Sequence, residues 1–403
     1  MNLFGLSIAY VRARPLNTVL NVVLLALGVA VLTVLLLASE QIEERLNRDA
    51  RDVSLVVGAK GSPLQLVLSA VFHVDVPPGN IKLRDAAAIA KMPHVKRTVP
   101  LGLGDTFRGF RIAGTTPDLL AIYGGSVAAG RIWNAPMEAL IGAEVAARTG
   151  IAINQQFTGT HGLGMGGDAH DATPYTVVGI LAPTGAVIDR LVVTGLESVW
   201  AVHMNLRPDE NPTEALSALT DDEKEMTALL VQYGSPLAAV TLPRLINQQT
   251  NMQAASPAAE TARLFALFSV GLDVIRGFAI VLVLAAGLST FIALYNALEE
   301  RRYDLAVMRM LGASPGTLVR LVLMEGGFLA VIGALLGLLA GHVLAELIGT
   351  WLAAQRQPSI SGLRFLPEEA ALVGAAILVG LVAATVPAWR AYRRDVAQTL
   401  SDS

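Results

Sequence analysis

The sequence has no cysteine among its 403 residues. Disulfides, thiolate nucleophiles and cysteine-held metal or iron–sulfur centres are therefore excluded. Charge is also scarce: Asp, Glu, Lys and Arg make up 16% of the chain, against about 25% in a typical soluble domain. The net charge of −3 lacks the basic excess of a nucleic-acid footprint, and no nucleic-acid partner is expected. The sequence contains no Walker A stretch, and its nearest approach, Gly58-Ala59-Lys60-Gly61-Ser62, lacks the spacing to cradle phosphates. No His-Glu-x-x-His pair occurs either. A non-catalytic chain is expected, with no cofactor of its own and any energy supplied by a partner.

The missing charge is localised. Leu16–Ala38, Gly277–Leu298, Gly326–Ala345 and Ala370–Trp389 contain no Asp, Glu, Lys or Arg. Each is long enough to cross a bilayer as a helix, which takes about 20 apolar residues at 1.5 Å rise. In hydrocarbon these windows must be helical, because every backbone group needs an internal partner. The first is too long for the apolar region of a signal peptide and lacks a small-x-small cleavage site.

Arginine sets the orientation. Arg12 and Arg14 precede the first span. Arg301, Arg302, Arg309 and Arg320 lie between spans two and three, and Arg390, Arg393 and Arg394 follow span four. The loop between spans three and four carries only Arg356 and Arg364. Both termini are thus expected in the cytoplasm. The expected organisation is a cytoplasmic segment 1–15, span one 16–38, an extracytoplasmic domain 39–263 and span two 264–298. A cytoplasmic hairpin 299–320, span three 321–349, an outer loop 350–369, span four 370–389 and a cytoplasmic tail 390–403 complete it.

Small residues recur every fourth position in two spans: Gly333, Gly337, Gly341, Ala345 and Gly349, then Ala376, Gly380, Ala384 and Ala388. Such stripes allow close helix approach, within the chain or against a second one. Ionisable residues inside the spans are few. Glu325 and His342 are the main ones, and Asp273 and Arg276 are spaced to pair on one helix face near the outer end of span two. A row of buried carboxylates of the kind an ion-driven carrier uses is missing.

The outer stretch alternates short apolar runs with helical patterns. Strands are expected at Val53–Val57, Val95–Val99, Phe107–Ala113, Tyr175–Leu181, Leu191–Thr194 and Thr227–Gln232. Helices are expected at Leu64–Phe72, Leu83–Lys91, Pro117–Tyr123, Ala143–Thr149, Leu196–His203 and Leu237–Gln249. The fold class is therefore a polytopic α-helical membrane protein, four transmembrane helices with a large α+β extracytoplasmic domain of small sheets between helices one and two. Asn205–Glu223 is acidic and reads as a loop or insertion. The Gly-rich stretch 159–171 carries His161, Asp168, His170 and Asp171, side chains able to ligate zinc. The plainer reading is a flexible polar hairpin loop, since structural zinc sites usually show tighter ligand spacing.

Between spans two and three, Glu300-Arg301-Arg302 leads into Leu305, Met308, Arg309 and Leu311 at helical spacing. Gly312 suits a helix stop, Ser314 an N-cap and Pro315 a first turn. A charged helix with apolar knobs, placed there, is suited to dock in a cleft on a soluble partner.

The run Glu300-Arg301-Arg302 and Leu305-Ala306-Val307-Met308-Arg309-Met310-Leu311-Gly312-Ala313-Ser314 resembles the signature of the FtsX-like permeases of bacterial ABC transporters. The layout of one span, a large outer domain and three further spans is similar too. Ile112–Asp118, Ile141–Ala146 and Val178–Gly185 resemble the periplasmic core domain of the macrolide-exporter type. The resemblance implies an inner-membrane permease that works as a dimer with separate ATPase subunits binding ATP and Mg. In that family a coupling helix, here about Glu300–Leu311, seats on the ATPase and transmits hydrolysis to the outer domains, with or without a periplasmic partner protein. Two alternatives stay open: zinc handling through the His-containing outer loop, and a non-transport sensor or scaffold acting on an envelope partner.

Overall fold

A computed structural model describes residues 3–162, 173–204, 212–220, 222–355 and 359–393. In chain order the elements are α1 (Leu3–Ala13), α2 (Pro15–Ala50), β1 (Leu55–Ala59), α3 (Pro63–Ala70), β2 (Ile81–Lys82), α4 (Leu83–Ala90), β3 (Val95–Phe107), β4 (Phe110–Thr115), α5 (Asp118–Ile122), β5 (Val127–Gly130), β6 (Glu138–Ile141), α6 (Ala143–Thr149), β7 (Gln156–Phe157), β8 (Thr160–His161), β9 (Tyr175–Leu181) and β10 (Leu191–Gly195). They continue with α7 (Leu196–His203), α8 (Pro212–Ala218), β11 (Glu225–Met226), β12 (Ala228–Tyr233), α9 (Pro236–Gln249), β13 (Met252–Ala255), α10 (Pro257–Glu300), α11 (Arg302–Met310), α12 (Pro315–Ala354) and α13 (Glu368–Arg393). They form two compact units, residues 1–42 with 268–403, and residues 43–267.

In the first unit, α2, α10, α12 and α13 are long and apolar enough to cross a membrane. Pro15 lacks a backbone donor and so ends α1 and opens α2. Large apolar side chains such as Val23, Phe278, Leu339 and Leu378 point outward, as lipid-facing positions do. The small residues point inward. A Cβ on Gly337 would stand 2.6 Å from the Ala26 carbonyl oxygen, and one on Gly341 2.6 Å from Thr33 Cβ. Gly333 likewise meets Leu25. That stripe of α12 therefore seats on α2. On α13, Gly380 abuts Ala330 and Ala384 abuts Gly326, and Ala376 is buried in the same layer as Ala334 and Val29. These approaches are internal to the chain.

The second unit is built on an 11-stranded mixed sheet with the path β13-β1-β12-β3-β4-β10-β6-β9-β5. Where small sheets were expected, this one is large, and a separate two-stranded sheet pairs β2 with β11. Both of its faces are covered. Val56, Leu230, Ala113 and Val193 face one core. Leu55, Val57, Leu229 and Val231 face a second, and Ile112, Val177 and Val192 a third. Two-sided burial explains why these strands read as unbroken apolar runs rather than alternating ones. The long β3 joins the two halves, residues 95–101 pairing with β12 and 102–107 with β4.

The expected strand Phe107–Ala113 is in fact two strands. Arg108 and Gly109 have φ of 48° and 82°, a two-residue turn with both central residues at positive φ, which reverses the chain tightly. The Gly58–Ser62 run lies in a strand–turn–helix unit formed by β1 and α3. Ser62 Oγ accepts from Gln65 N at 3.4 Å, Pro63 opens α3, and Gln65 Nε2 donates to the Val76 carbonyl at 3.0 Å. Gly58 leaves room for Leu66, whose Cδ1 would lie 2.5 Å from any Cβ there. Within the acidic stretch expected as a loop, α8 forms.

Gly337→Leu should force α2 away from α12, at a cost of about 1–3 kcal/mol for overpacking. Gly374→Leu, with no atom within 4 Å of its Cβ, should be neutral. Thermal unfolding of the two variants in detergent checks this; equal melting would contradict the packing role.

Candidate functional site

The α10–α12 hairpin is held by one buried charge pair. Helix α10 ends at Glu300, Arg301 turns out of helical geometry (φ −97°, ψ 12°), and α11 begins at Arg302. Arg301 Nη1 donates to Glu325 Oε2 of α12 at 3.2 Å, with the two side chains only 12% and 9% exposed. The guanidinium also lies 3.7 Å from the centre of the Tyr10 ring of α1, a cation–π contact. Glu300 pairs with Arg14. The Arg cluster that sets orientation in the sequence is thus partly a structural clamp.

Helix α11 closes with a Schellman motif. Gly312 has φ +96°, a left-handed conformation that glycine adopts without strain. Its N–H donates to the Arg309 carbonyl at 3.1 Å, and the Ala313 N–H donates to the Met308 carbonyl at 3.0 Å. Ser314 occupies the N-cap position of α12, with Pro315 in the first turn. Its hydroxyl pairs with Thr317 Oγ1 at 2.9 Å rather than capping a backbone N–H. Gly312-Ala313-Ser314-Pro315-Gly316 also spells Gly-x-Ser-x-Gly. A helix precedes it here, whereas a nucleophile elbow needs a strand-to-helix turn.

The apolar residues of α11 divide. Leu305 is buried among Leu298, Leu318, Leu321 and Ala388, and Met308 packs at the edge of that cluster. Leu311 is 82% exposed, beside exposed Met310 and Tyr303. Three-residue steps fall about 60° short of a turn each, so Leu311 has rotated away from the Leu305 face. Leu305 holds the hairpin on the bundle. Tyr303, Met310 and Leu311 form its free apolar surface, ringed by exposed Arg302 and Asp304 and half-buried Arg309.

On the other side of the spans, His342 Nδ1–H donates to the Gly362 carbonyl at 2.6 Å and Nε2 lies 3.1 Å from Glu369 Oε2. Gln41 holds Ser361 through both its amide atoms at 2.8 Å. These two residues pin the loop between α12 and α13. Asp273 and Arg276 pair at 2.8 Å.

Of the zinc-ligating residues expected from sequence, Asp168, His170 and Asp171 lie outside the described residues. His161 lies on β8, directly opposite Asp105 of β3. Its Nδ1 is 3.0 Å from Asp105 Oδ1, and its ring centre is 5.3 Å from that of His203 at the end of α7. One ligating atom from each of Asp105, His161 and His203 falls within 4.8 Å of the others. Asp105 and His203 have no motif spacing to His161, and only strand register and helix packing bring the three together. Nearby, burial and then the charge of Asp105 raise the Tyr175 hydroxyl above its ordinary range.

Residues 18–222 match the MacB-like periplasmic core domain, and residues 276–396 match the C-terminal domain of the FtsX-like permeases. Among curated proteins the chain is similar to the pyoverdine export ATP-binding/permease protein PvdT of Pseudomonas savastanoi pv. phaseolicola. The two are 24% identical, over 97% of this chain and 57% of that protein. The chain therefore spans a little over half the length of that relative. It is also 27% identical, over 31% of its length and 34% of the relative's, to the lipoprotein-releasing system transmembrane protein LolC of Xylella fastidiosa. Among solved structures, the periplasmic region of MacB from Actinobacillus actinomycetemcomitans aligns at 9% identity and a TM-score of 0.34. That alignment covers 54% of this chain and 95% of the other.

Removing either partner of the Arg301–Glu325 pair leaves a buried charge uncompensated, a loss of about 3–5 kcal/mol. Arg301→Met and Glu325→Gln should each lower the melting temperature in detergent. The double variant should lose less than the two single losses added together, and strict additivity would show that the pair is not coupled.

Proposed function

The chain belongs to the ABC transporter permeases of the MacB/FtsX type, and from that premise we propose that it couples ATP hydrolysis by a partner ATPase to movement of its extracytoplasmic domain. It is an inner-membrane protein, and members of this family serve as the permease subunits of ABC transporters. The observation that carries the coupling is the exposed Tyr303–Met310–Leu311 surface, carried on a short helix that a buried ion pair fixes to the membrane bundle.

In this reading the termini and the hairpin face the cytoplasm, in accord with the arginine distribution. Two permease chains assemble with two ATP-binding subunits, which hold ATP and Mg; the sequence has no Walker A stretch to do so itself. Leu311 and Met310 insert in a cleft of the ATPase, while Arg302 and Arg309 supply rim charge. Leu305, Met308 and the Gly312 turn transmit the push, since the first two are packed in the bundle and the third fixes where α12 begins. The cargo is an envelope substrate engaged from the outer domain, the kind of work for which the pyoverdine-export and lipoprotein-releasing relatives are named.

The test is ATP turnover in lipid by the ATPase that co-purifies with the tagged full-length chain. Leu311→Asp should reduce chain-stimulated turnover by about tenfold or more, the effect of losing a buried interface anchor worth over 1.4 kcal/mol. Its melting temperature should stay unchanged, because Leu311 is exposed. Leu305→Ala should instead lower the melting temperature, by leaving a cavity worth about 2–5 kcal/mol. Stimulation that survives Leu311→Asp would remove the docking assignment. A chain that stimulates no ATPase would leave a four-span sensor or scaffold.

A further inference from the structure

We propose that Asp105, His161 and His203 form a three-ligand site for a divalent transition-metal ion, zinc by preference, on the extracytoplasmic domain. The site does not depend on the coupling mechanism above, and its ligand set differs from the contiguous loop that the sequence suggested.

The fold builds this constellation. β8 pairs with β3 so that His161 stands opposite Asp105 and Thr160 opposite Thr106. The short strand is pinned by Gly162 N–H donating to the Gly104 carbonyl at 3.1 Å, and by Thr106 Oγ1 donating to the Gly162 carbonyl at 2.9 Å. From the other side, α7 sits on two strand glycines. A Cβ on Gly102 would meet Leu196 at 2.9 Å, and one on Gly114 would meet Val199. That seat delivers His203, the last residue of α7, to the same place.

The donor chemistry is already selected. His203 Nδ1 lies 2.7 Å from the Val199 carbonyl oxygen. A carbonyl only accepts, so Nδ1 carries the proton and Nε2 is the unprotonated nitrogen, the one with ligating chemistry. This is the orienting arrangement usual behind a metal-bound imidazole. Asp105 is 3% exposed, so its carboxylate is held in place, and His161 and His203 lie at the surface. The hydroxyl of Tyr175 is fully buried and makes no hydrogen bond among the described residues, yet it feels the Asp105 charge. It is an additional polar group beside the cluster.

Two imidazoles and one carboxylate suit zinc and its neighbours. Calcium and magnesium prefer six or more oxygens. Tetrahedral zinc places its ligand atoms about 3.3 Å apart, given bonds near 2.0 Å. The present spread, within 4.8 Å, leaves at most about 1.5 Å to close, a movement for the surface-exposed His161 ring to make while His203 keeps its Val199 contact. Three protein ligands leave a fourth position open to water or to an incoming ligand, unlike the closed four-ligand set of a structural zinc site.

The full-length chain in detergent should bind about one Zn²⁺ by equilibrium dialysis and show the intense visible bands of tetrahedral Co²⁺ after substitution. Magnesium or calcium in excess should not displace it. His203→Ala and His161→Ala should each weaken Zn²⁺ binding by about 100-fold or more, above the 10–100-fold typical of a lost second-shell partner. His94→Ala, an exposed histidine elsewhere on the domain, should leave binding unchanged. His203→Ala should melt as the metal-free wild type does, which separates lost ligation from misfolding. Zinc binding that survives His203→Ala would overturn the site, and so would binding lost only in His170→Ala, since the ion would then belong to the loop.

Discussion

A charge buried at the end of a helix bundle has to be answered by another. Taken out of water, a guanidinium or carboxylate loses solvation that only close, oriented partners replace. Arg301 is the single residue separating α10 from α11. Its partner Glu325 lies ten residues into α12, about 15 Å along that helix. Joining these two points folds the hairpin back on the bundle and draws in α1 through the Tyr10 ring. Leu305 then falls inside, and Leu311 is left outside. The exposure of the proposed docking face is therefore a consequence of the ion pair, and the Gly312 turn is the shortest way back into α12.

Within the bundle, packing has to do what hydrophobicity cannot, because lipid is as apolar as the helices. The stripe on α12 solves this by lowering its surface until the α2 backbone fits against it. Gly326 and Ala330 do the same for α13. One helix thus serves two neighbours with two stripes set apart around its axis. The polar exceptions at the far end, His342 with Glu369 and Gln41 with Ser361, are each satisfied and tie down the described part of the loop between α12 and α13.

The outer domain follows a different logic. The central strands of its sheet are covered on both faces, so β4 and β10 are buried throughout, and glycines appear where a helix must come close. The seat of α7 on Gly102 and Gly114 both packs the domain and positions His203. A packing solution has thereby created a chemical opportunity, an anionic oxygen and two imidazoles on three segments far apart in the chain.

Much of this architecture is legible in the sequence. The four spans follow from charge-free length alone, because no other backbone arrangement survives in hydrocarbon. The longer outer strands and most outer helices follow from apolar periodicity, and the Gly312–Pro315 turn from residues with one preferred backbone geometry. These are local properties, written within a few residues of where they act. The strands that escaped are short: β2, β7, β8 and β11 have two residues each and β5, β6 and β13 four, too few to display a period. The split of Phe107–Ala113 escaped because Arg108 adopts a positive φ that its side chain does not advertise. What only the tertiary structure decided is which partner each side chain meets: Glu325 for Arg301, α2 for the glycine stripe, Asp105 and His203 for His161. Those choices depend on strand register and helix rotation over tens of residues, where a shift of one position would turn every side chain to another face.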